Sequence, residues 1–323
     1  MKYIGRLCNV GISKESSRGA GSVPTFWIPK STVTIDPKVT KAVSKLNYNS
    51  IGGDGNQALN AMKWSEGDIE TDLQDNSFGL FLLSLLGTVS SAGPTDSLYT
   101  HTFTLQNDAQ HDSLAITIQD PNEQKQYRLS MLQSLTITAV PDDVVKITAS
   151  FMGRSGADTT HSVTYVAHNK FLGRQVIAKF ATDTAGLAAA SALDIKSLTM
   201  TFEKNLKVDS VLGTVDPIDF LNQAFSIRGE IELDLTAGTY RDLQINGSYR
   251  AFRIDMTNSD ATIGVSAHPQ FTLDLSRVHF EAWESSRPND EIVTEKFSFN
   301  ALYDITNANV INSCVLKNAT ASY

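Results

Sequence analysis

Alternation of apolar and polar positions dominates this chain. Successive side chains of a strand point to opposite faces, so such runs predict half-buried strands. They occur at 31–35, 68–73, 101–105, 114–119, 132–138 and 144–151, then at 198–202, 230–235, 271–275, 278–283 and 294–302. Short strands separated by turn residues predict a mainly β protein built of sandwiches or barrels. One helical stretch interrupts the first half. Phe78, Phe81, Leu82, Leu85 and Leu86 share a face, Asp75, Asn76 or Ser77 offers a cap, and Gly87 stands where a left-handed C-terminal cap is wanted. This helix is expected to pack on a sheet. The corresponding stretch of the second half, 239–244, is more polar and ends at Asn246-Gly247, so any helix there is brief.

The pattern also repeats in order. Lys2-Tyr3-Ile4-Gly5-Arg6 is echoed by Lys170-Phe171-Leu172-Gly173-Arg174, and Val33-Thr34-Ile35-Asp36 by Met200-Thr201-Phe202-Glu203. A third anchor sets Gly67-Asp68-Ile69-Glu70-Thr71-Asp72-Leu73 against Gly229-Glu230-Ile231-Glu232-Leu233-Asp234-Leu235. Looser likenesses follow, 135–138 with 278–281 and 145–148 with the run near 296–299. Any two β-rich segments share alternation, but three collinear anchors at nearly constant spacing favour a tandem duplication, with modules at 1–166 and 167–323. The loop-like stretch 182–192 stands where 16–23 stands in the first copy, so both copies are expected to begin with a flexible arm.

In the third anchor Asp68, Glu70 and Asp72 share one strand face and Ile69 and Leu73 the other; Glu230, Glu232 and Asp234 likewise oppose Ile231, Leu233 and Leu235. Like charges about 7 Å apart repel, so such a face needs bulk water or cationic neighbours. One reading is a solvated face that discourages edge-to-edge aggregation. Its recurrence in both copies favours another, in which equivalent strands line one aqueous channel. An acidic wall would repel a DNA duplex and let it pass rather than hold it.

Composition narrows the classes further. A chain of 323 residues, 41% hydrophobic and 19% charged, can bury two cores of ordinary size. The formal net charge of -8 disfavours gripping nucleic acid by its phosphates. Cys8 and Cys314 make no metal or redox spacing, in keeping with a reducing compartment. No apolar run approaches the about 20 residues of a membrane span and none resembles a signal, so neither export nor insertion is expected, and the sequons at Asn246 and Asn318 read as chance. His101, His111, His161, His168, His268 and His279 fall in no metalloprotease spacing, and no nucleophile elbow or phosphate loop occurs. A glycosidase needs two acids converging from separate elements; here they lie in a row, with only Trp27, Trp64 and Trp283 for a sugar platform. The acids around Asp54 match no calcium loop. No catalytic, metal or cofactor site is expected.

Several segments together resemble major tail tube proteins of long non-contractile phage tails. They are the arm 10–19, the strand Ser65-Glu66-Gly67-Asp68-Ile69-Glu70, the helix 78–87 and the run 297–303. The resemblance implies a β-sandwich with a flanking helix and long loops, present here twice, whose inner sheet joins those of its neighbours to close a large barrel. Rings of three such chains, pseudo-sixfold, would stack into the tail tube of a virion assembled in the host cytoplasm. It implies as partners further copies of the chain, tape-measure, tail-tip and terminator proteins, and genomic DNA that passes through without specific binding.

The same resemblance gives 37–62, carrying Lys38, Lys41, Lys45 and Asp54, the role of a loop reaching the adjacent ring, with 205–223 as its counterpart. A structureless loop this long is uncommon unless it is functional or disordered. Two other classes fit the same β pattern: a two-domain ligand- or carbohydrate-binding surface protein, and a terminator or baseplate ring that does not polymerise. The first calls for aromatic residues clustered at loop tips, and no such cluster is evident.

Overall fold

The computed structural model of the chain describes residues 2–46, 55 and 57–323. The first half runs β1 (Asn9–Lys14), β2 (Phe26–Ile28), β3 (Lys30–Val33), β4 (Asp36–Val43), β5 (Ala58–Asp72), helix α1 (Phe78–Leu86), β6 (Gly87–Thr95), β7 (Leu98–Leu105), β8 (Leu114–Gln119), β9 (Gln124–Ala139), β10 (Lys146–Gly153) and β11 (Ala157–Asp158). The second runs β12 (Val176–Ala181), β13 (Ile195–Glu203), β14 (Lys207–Asp209), β15 (Asp219–Leu221), β16 (Ser226–Asp234), helix α2 (Thr239–Ile245), β17 (Tyr249–Thr257), β18 (Gln270–Ser286), β19 (Thr294–Ala301) and β20 (Ile311–Asn318). Each alternating run of the sequence lies in or overlaps one of these strands.

Antiparallel pairing proceeds in the same order in both halves. One layer is β3–β5–β10–β9 in the first half and β13–β16–β19–β18 in the second. The other is β1–β8–β9–β11 and β12–β17–β18–β20. The long strands β9 and β18 therefore take part in both layers. In β9 the change of layer falls near Leu129, a buried residue with φ of 53°, and a strand that switches sheets needs some such kink. The shared layer is continuous, because 134–139 of β9 pair with 198–203 of β13.

This pairing sets the correspondence between the halves more finely than sequence likeness. Ser31 and Lys196 are both left unpaired at a bulge, as are Gln133 and Glu281. Thr34 donates its N–H to Asp68 while Thr199 stands opposite Glu230, so Val33 corresponds to Leu198 and not to Met200. Leu135 corresponds to Trp283 and not to Val278, and Thr148 to Lys296. Alternation repeats every two residues, so the slip of two at Val33 leaves the apolar pattern intact, and the slip of five at Leu135 does the same because it crosses the extra residue Glu281 at the β18 bulge.

Apolar residues from both halves form one contiguous core rather than two separate ones, and Phe78 of α1 meets Phe271 of β18 edge-on at 5.1 Å. All nine residues of α1 are buried. The helix is enclosed rather than laid with one face on a sheet, and it lies against β6, β7 and β9. Gly87 ends it at φ 95°, its N–H bonded to the Leu83 carbonyl, whereas Ser77 forms no side-chain cap. The ring of Tyr323 covers Gly79, where a Cβ would lie 2.2 Å from it, and its hydroxyl donates to the Asn76 carbonyl at 2.7 Å. Helix α2 is brief, as its polar sequence predicts.

The arm after β1 is tied down rather than flexible. The buried Glu15 carboxylate accepts the N–H groups of Gly19, Gly21 and Leu129 and the hydroxyl of Ser113. Arg18 pairs with Asp219. In the second half the stretch 182–192 contains a 3-10 turn, Ala185–Leu187, that buries Leu187.

Candidate functional site

Asp68, Glu70 and Asp72 of β5 and Glu230, Glu232 and Asp234 of β16 lie on the side of the shared layer opposite to the core. Their alternates Ile69, Thr71, Leu73, Ile231 and Leu233 are buried beneath them. The rows are not bare. Lys170 reaches Asp72 at 2.6 Å, Lys296 reaches Glu230 at 2.7 Å and Lys196 reaches Asp234 at 3.2 Å. Ser150 donates its hydroxyl to Asp68 at 2.5 Å. Glu70 has Thr32 and Thr148 as cross-strand neighbours and forms no ion pair among the described residues. These lysines stand on strands and turns far from the acids in sequence, which is why the acid pattern alone did not reveal them.

Between the rows lie three strands, so the rows are about 19 Å apart at ordinary strand spacing. The intervening positions on this face are mostly hydroxyls, Thr148, Ser150, Ser134, Thr136, Thr138, Ser197, Thr199 and Thr201, with Glu203 and with Lys146, which stands opposite Asp72 and pairs with Asp143; the hydroxyls of Thr136 and Thr201 meet at 3.2 Å across the junction of the halves. Beyond the second row Lys296 stands opposite Glu284, and beyond the first Asp36 stands opposite Glu66. The result is a hydroxyl-rich, predominantly acidic surface spanning eight strands. It suits water, and it offers a polyanion few cations that are not already paired. Among the described residues no group of His, Cys, Asp or Glu is placed to hold a metal ion.

Over residues 5–301 the sequence matches the family described as phage tail tube protein. The chain belongs to that family. No curated protein matches it. It is accordingly a structural protein of the phage tail, of a kind that assembles with copies of itself into the tail tube.

In this tail tube protein the stretch 37–62 is not a structureless loop. Lys38 and Lys41 lie on β4, which pairs with the leading half of β5 as a hairpin exposed along the whole of β4. Lys45 follows it and is exposed; Asp54 lies outside the described residues. The counterpart 205–223 holds the short hairpin β14–β15 and folds back on the first half. Val215 accepts the Lys63 N–H at 2.8 Å, and Arg154 donates to the carbonyls of Pro217 and Ile218.

Sequence reading passed over Lys204, the most deeply buried cation among the described residues of the tail tube protein. It is 1% exposed and donates to the Ser84 carbonyl at 2.6 Å, capping the C-terminal turn of α1 from the opposite half of the chain. Burial and the nearby Arg18 guanidinium push its pKa down to about 7. Burial, with Lys204 beside it, pushes His111 down to about 4. Both line a cavity of 250 Å³ with Gln106 and Asn222. A lone lysine in a strand-ending sequence carries no signal of burial, because its acceptor comes from a helix far earlier in the chain.

Proposed function

We propose that the acidic layer faces the lumen of the tail tube, so that Asp68, Glu70, Asp72, Glu230, Glu232 and Asp234 line a conduit for DNA ejection in a long non-contractile tail. The observation that carries this reading is the shared layer itself. It presents one continuous polar, acidic face, has the same strand order in each half, and ends at β3 on one side and at 281–286 of β18 on the other. Neither of these stretches pairs on its outer side among the described residues. Strand edges of this kind accept another chain.

The matching bulges and strand order support a duplicated module, 1–166 and 167–323, and three chains then supply six modules to a ring. Stacked rings make the tube, and tape-measure, tail-tip and terminator proteins are its partners. A wall that repels phosphates favours passage over retention. The test is to replace Asp68, Glu70 and Glu232 by lysine, leaving the ion-paired Asp72, Glu230 and Asp234 in place, and to follow both tube formation and ejection. Tubes should still form, and ejection should slow in a salt-dependent way. Ejection unchanged at low salt, or electron microscopy of wild-type tubes placing these side chains on the outside, overturns the reading.

A further inference from the structure

The segment 2–7 takes part in no strand pairing in the isolated chain, where Lys30 donates its ammonium to the Gly5 carbonyl at 3.2 Å, whereas its repeat in the second half is docked. Phe171 is 0% exposed; Tyr3, its sequence counterpart, is 45% exposed and Ile4 is 68% exposed. The two segments have the same local form, each a 3-10 turn, Gly5–Leu7 and Gly173–Gln175, followed by a strand. The second is held by the first half of the chain. The Phe171 N–H donates to the Leu73 carbonyl at 3.3 Å, Val145 donates to the Phe171 carbonyl at 2.9 Å, and Gly173 donates to the Asp143 carbonyl at 2.9 Å. Leu172 bridges to Val144, and Lys170 pairs with Asp72.

The elements of that receptor recur in the second half with no segment docked on them, Asp234 alone being paired already, with Lys196 of the same half. Leu235 donates to the Val293 carbonyl at 2.9 Å, as Leu73 does to Val145 at 2.7 Å. Pairing makes Ile292 the counterpart of Val144, Glu291 of Asp143 and Asp234 of Asp72. Ile292 is 71% exposed. The two glycines supply an independent observation. A Cβ on Gly173 would lie 1.7 Å from the Val140 carbonyl oxygen, so the docked segment requires glycine there. A Cβ on Gly5 would meet nothing within 4 Å, and no positive φ calls for glycine at that position.

We propose that residues 2–6 of one copy dock on the second half of a neighbouring copy, in the register by which 170–174 dock on the first half. Tyr3 then exchanges backbone hydrogen bonds with Leu235 and Val293, Ile4 lies against Ile292, and Lys2 reaches Asp234. Gly5 gains the close backbone neighbour, Pro288, that explains it. The partner is a second copy of this chain because both halves of the contact are present in one sequence, and the internal contact is its template. This rests on the ring reading above, and it assigns to that reading a latch outside the strand edges.

The test uses the full chain with Cys8→Ser, carrying Ile4→Cys and Ile292→Cys. The two positions lie at opposite ends of an eight-stranded layer, about 34 Å across, so no disulfide can close within one chain. Under mild oxidation a covalent ladder is expected that ends at the ring's chain number, whereas Ile4→Cys with Thr294→Cys should give none. A companion variant, Gly5→Val, should leave the thermal midpoint of the free chain unchanged and abolish rings. Rings that form by electron microscopy yet stay uncrosslinked, or Gly5→Val chains that assemble as wild type does, overturn the latch while leaving the ring reading in place. A wild-type chain that forms no rings, even with tail-tip components, overturns both.

Discussion

Gly229 stands directly opposite Phe299 in the β16–β19 pair, and the Phe299 ring fills the place of the missing side chain, where a Cβ would lie 2.1 Å from it. Gly67 faces Phe151 at the corresponding pair of the first half. An aromatic ring folded over a cross-strand glycine shields backbone that would otherwise be bare, and here it also fills core volume. Gly229→Val forces Phe299 out of a packed position. The expected cost is about 1–3 kcal/mol, typical of overpacking. Urea unfolding of the free chain measures it, and an unchanged midpoint would show that the ring moves aside freely.

Lys204 makes stability depend on pH in an unusual range. Its native pKa is pushed down to about 7, while in the unfolded chain lysine titrates near 10.4. Between those values the unfolded chain holds a proton that the native state has released, so stability rises with pH across about 7 to 10. Below about pH 7 both states are protonated and the cost of the buried charge is fully present. His111, pushed down to about 4, adds a second rise between about 4 and 6.5 by the same reasoning. Lys204→Met keeps the chain length and removes the charge. Its thermal midpoint should lose the rise above pH 7 and keep, in reduced size, the one below 6.5, since burial is the larger cause of the His111 shift and Lys204 the smaller; a variant that retains the rise above pH 7 would place that titration elsewhere.

Strand positions and the two-faced acidic rows were legible because alternation is a local property of sequence. Asp68 and Glu230 are placed by the burial of Ile69 and Ile231 beside them. Long-range partners were not legible. Lys170 with Asp72, Lys204 with Ser84 and Arg18 with Asp219 are each joined by topology rather than spacing. The enclosure of α1 was hidden for a related reason. Five apolar residues on one face predict a stripe, but Leu80 and Leu83 on the other side are buried as well, under strands the sequence did not connect to it.

The β4–β5 hairpin carries Lys38 and Lys41 on β4, which is exposed throughout and contributes nothing to the core. Replacing 41–61 by an Asn-Gly turn closes the hairpin at the Thr40–Met62 pair, and none of the described residues it removes is buried. The shortened chain should unfold within about 1 kcal/mol of wild type, as surface changes generally do. If the hairpin reaches the adjacent ring, single rings should still form but fail to lengthen into tubes. Sedimentation and negative-stain microscopy separate those states, and tubes of normal length would remove Lys41 and Lys45 from any stacking role.

The junction within the chain also sets a register for the junction between chains. Thr138 of β9 stands opposite Thr199 of β13. Through the common pairing frame Thr138 corresponds to Ser286 and Thr199 to Thr34, on the two outer edges of the shared layer. If neighbouring copies join as the two halves do, Thr34 of one copy lies opposite Ser286 of the next, on the acidic face. Thr34→Cys with Ser286→Cys should then oxidise to interchain disulfides in assembled rings, because opposed residues of an antiparallel pair bring their Cα atoms within about 5.5 Å. Thr34→Cys with Ser285→Cys should not, since a shift of one residue turns the second thiol toward the core. Equal cross-linking of both pairs would mean that the edges meet without a fixed register, and the continuous acidic face would then stop at each chain's border.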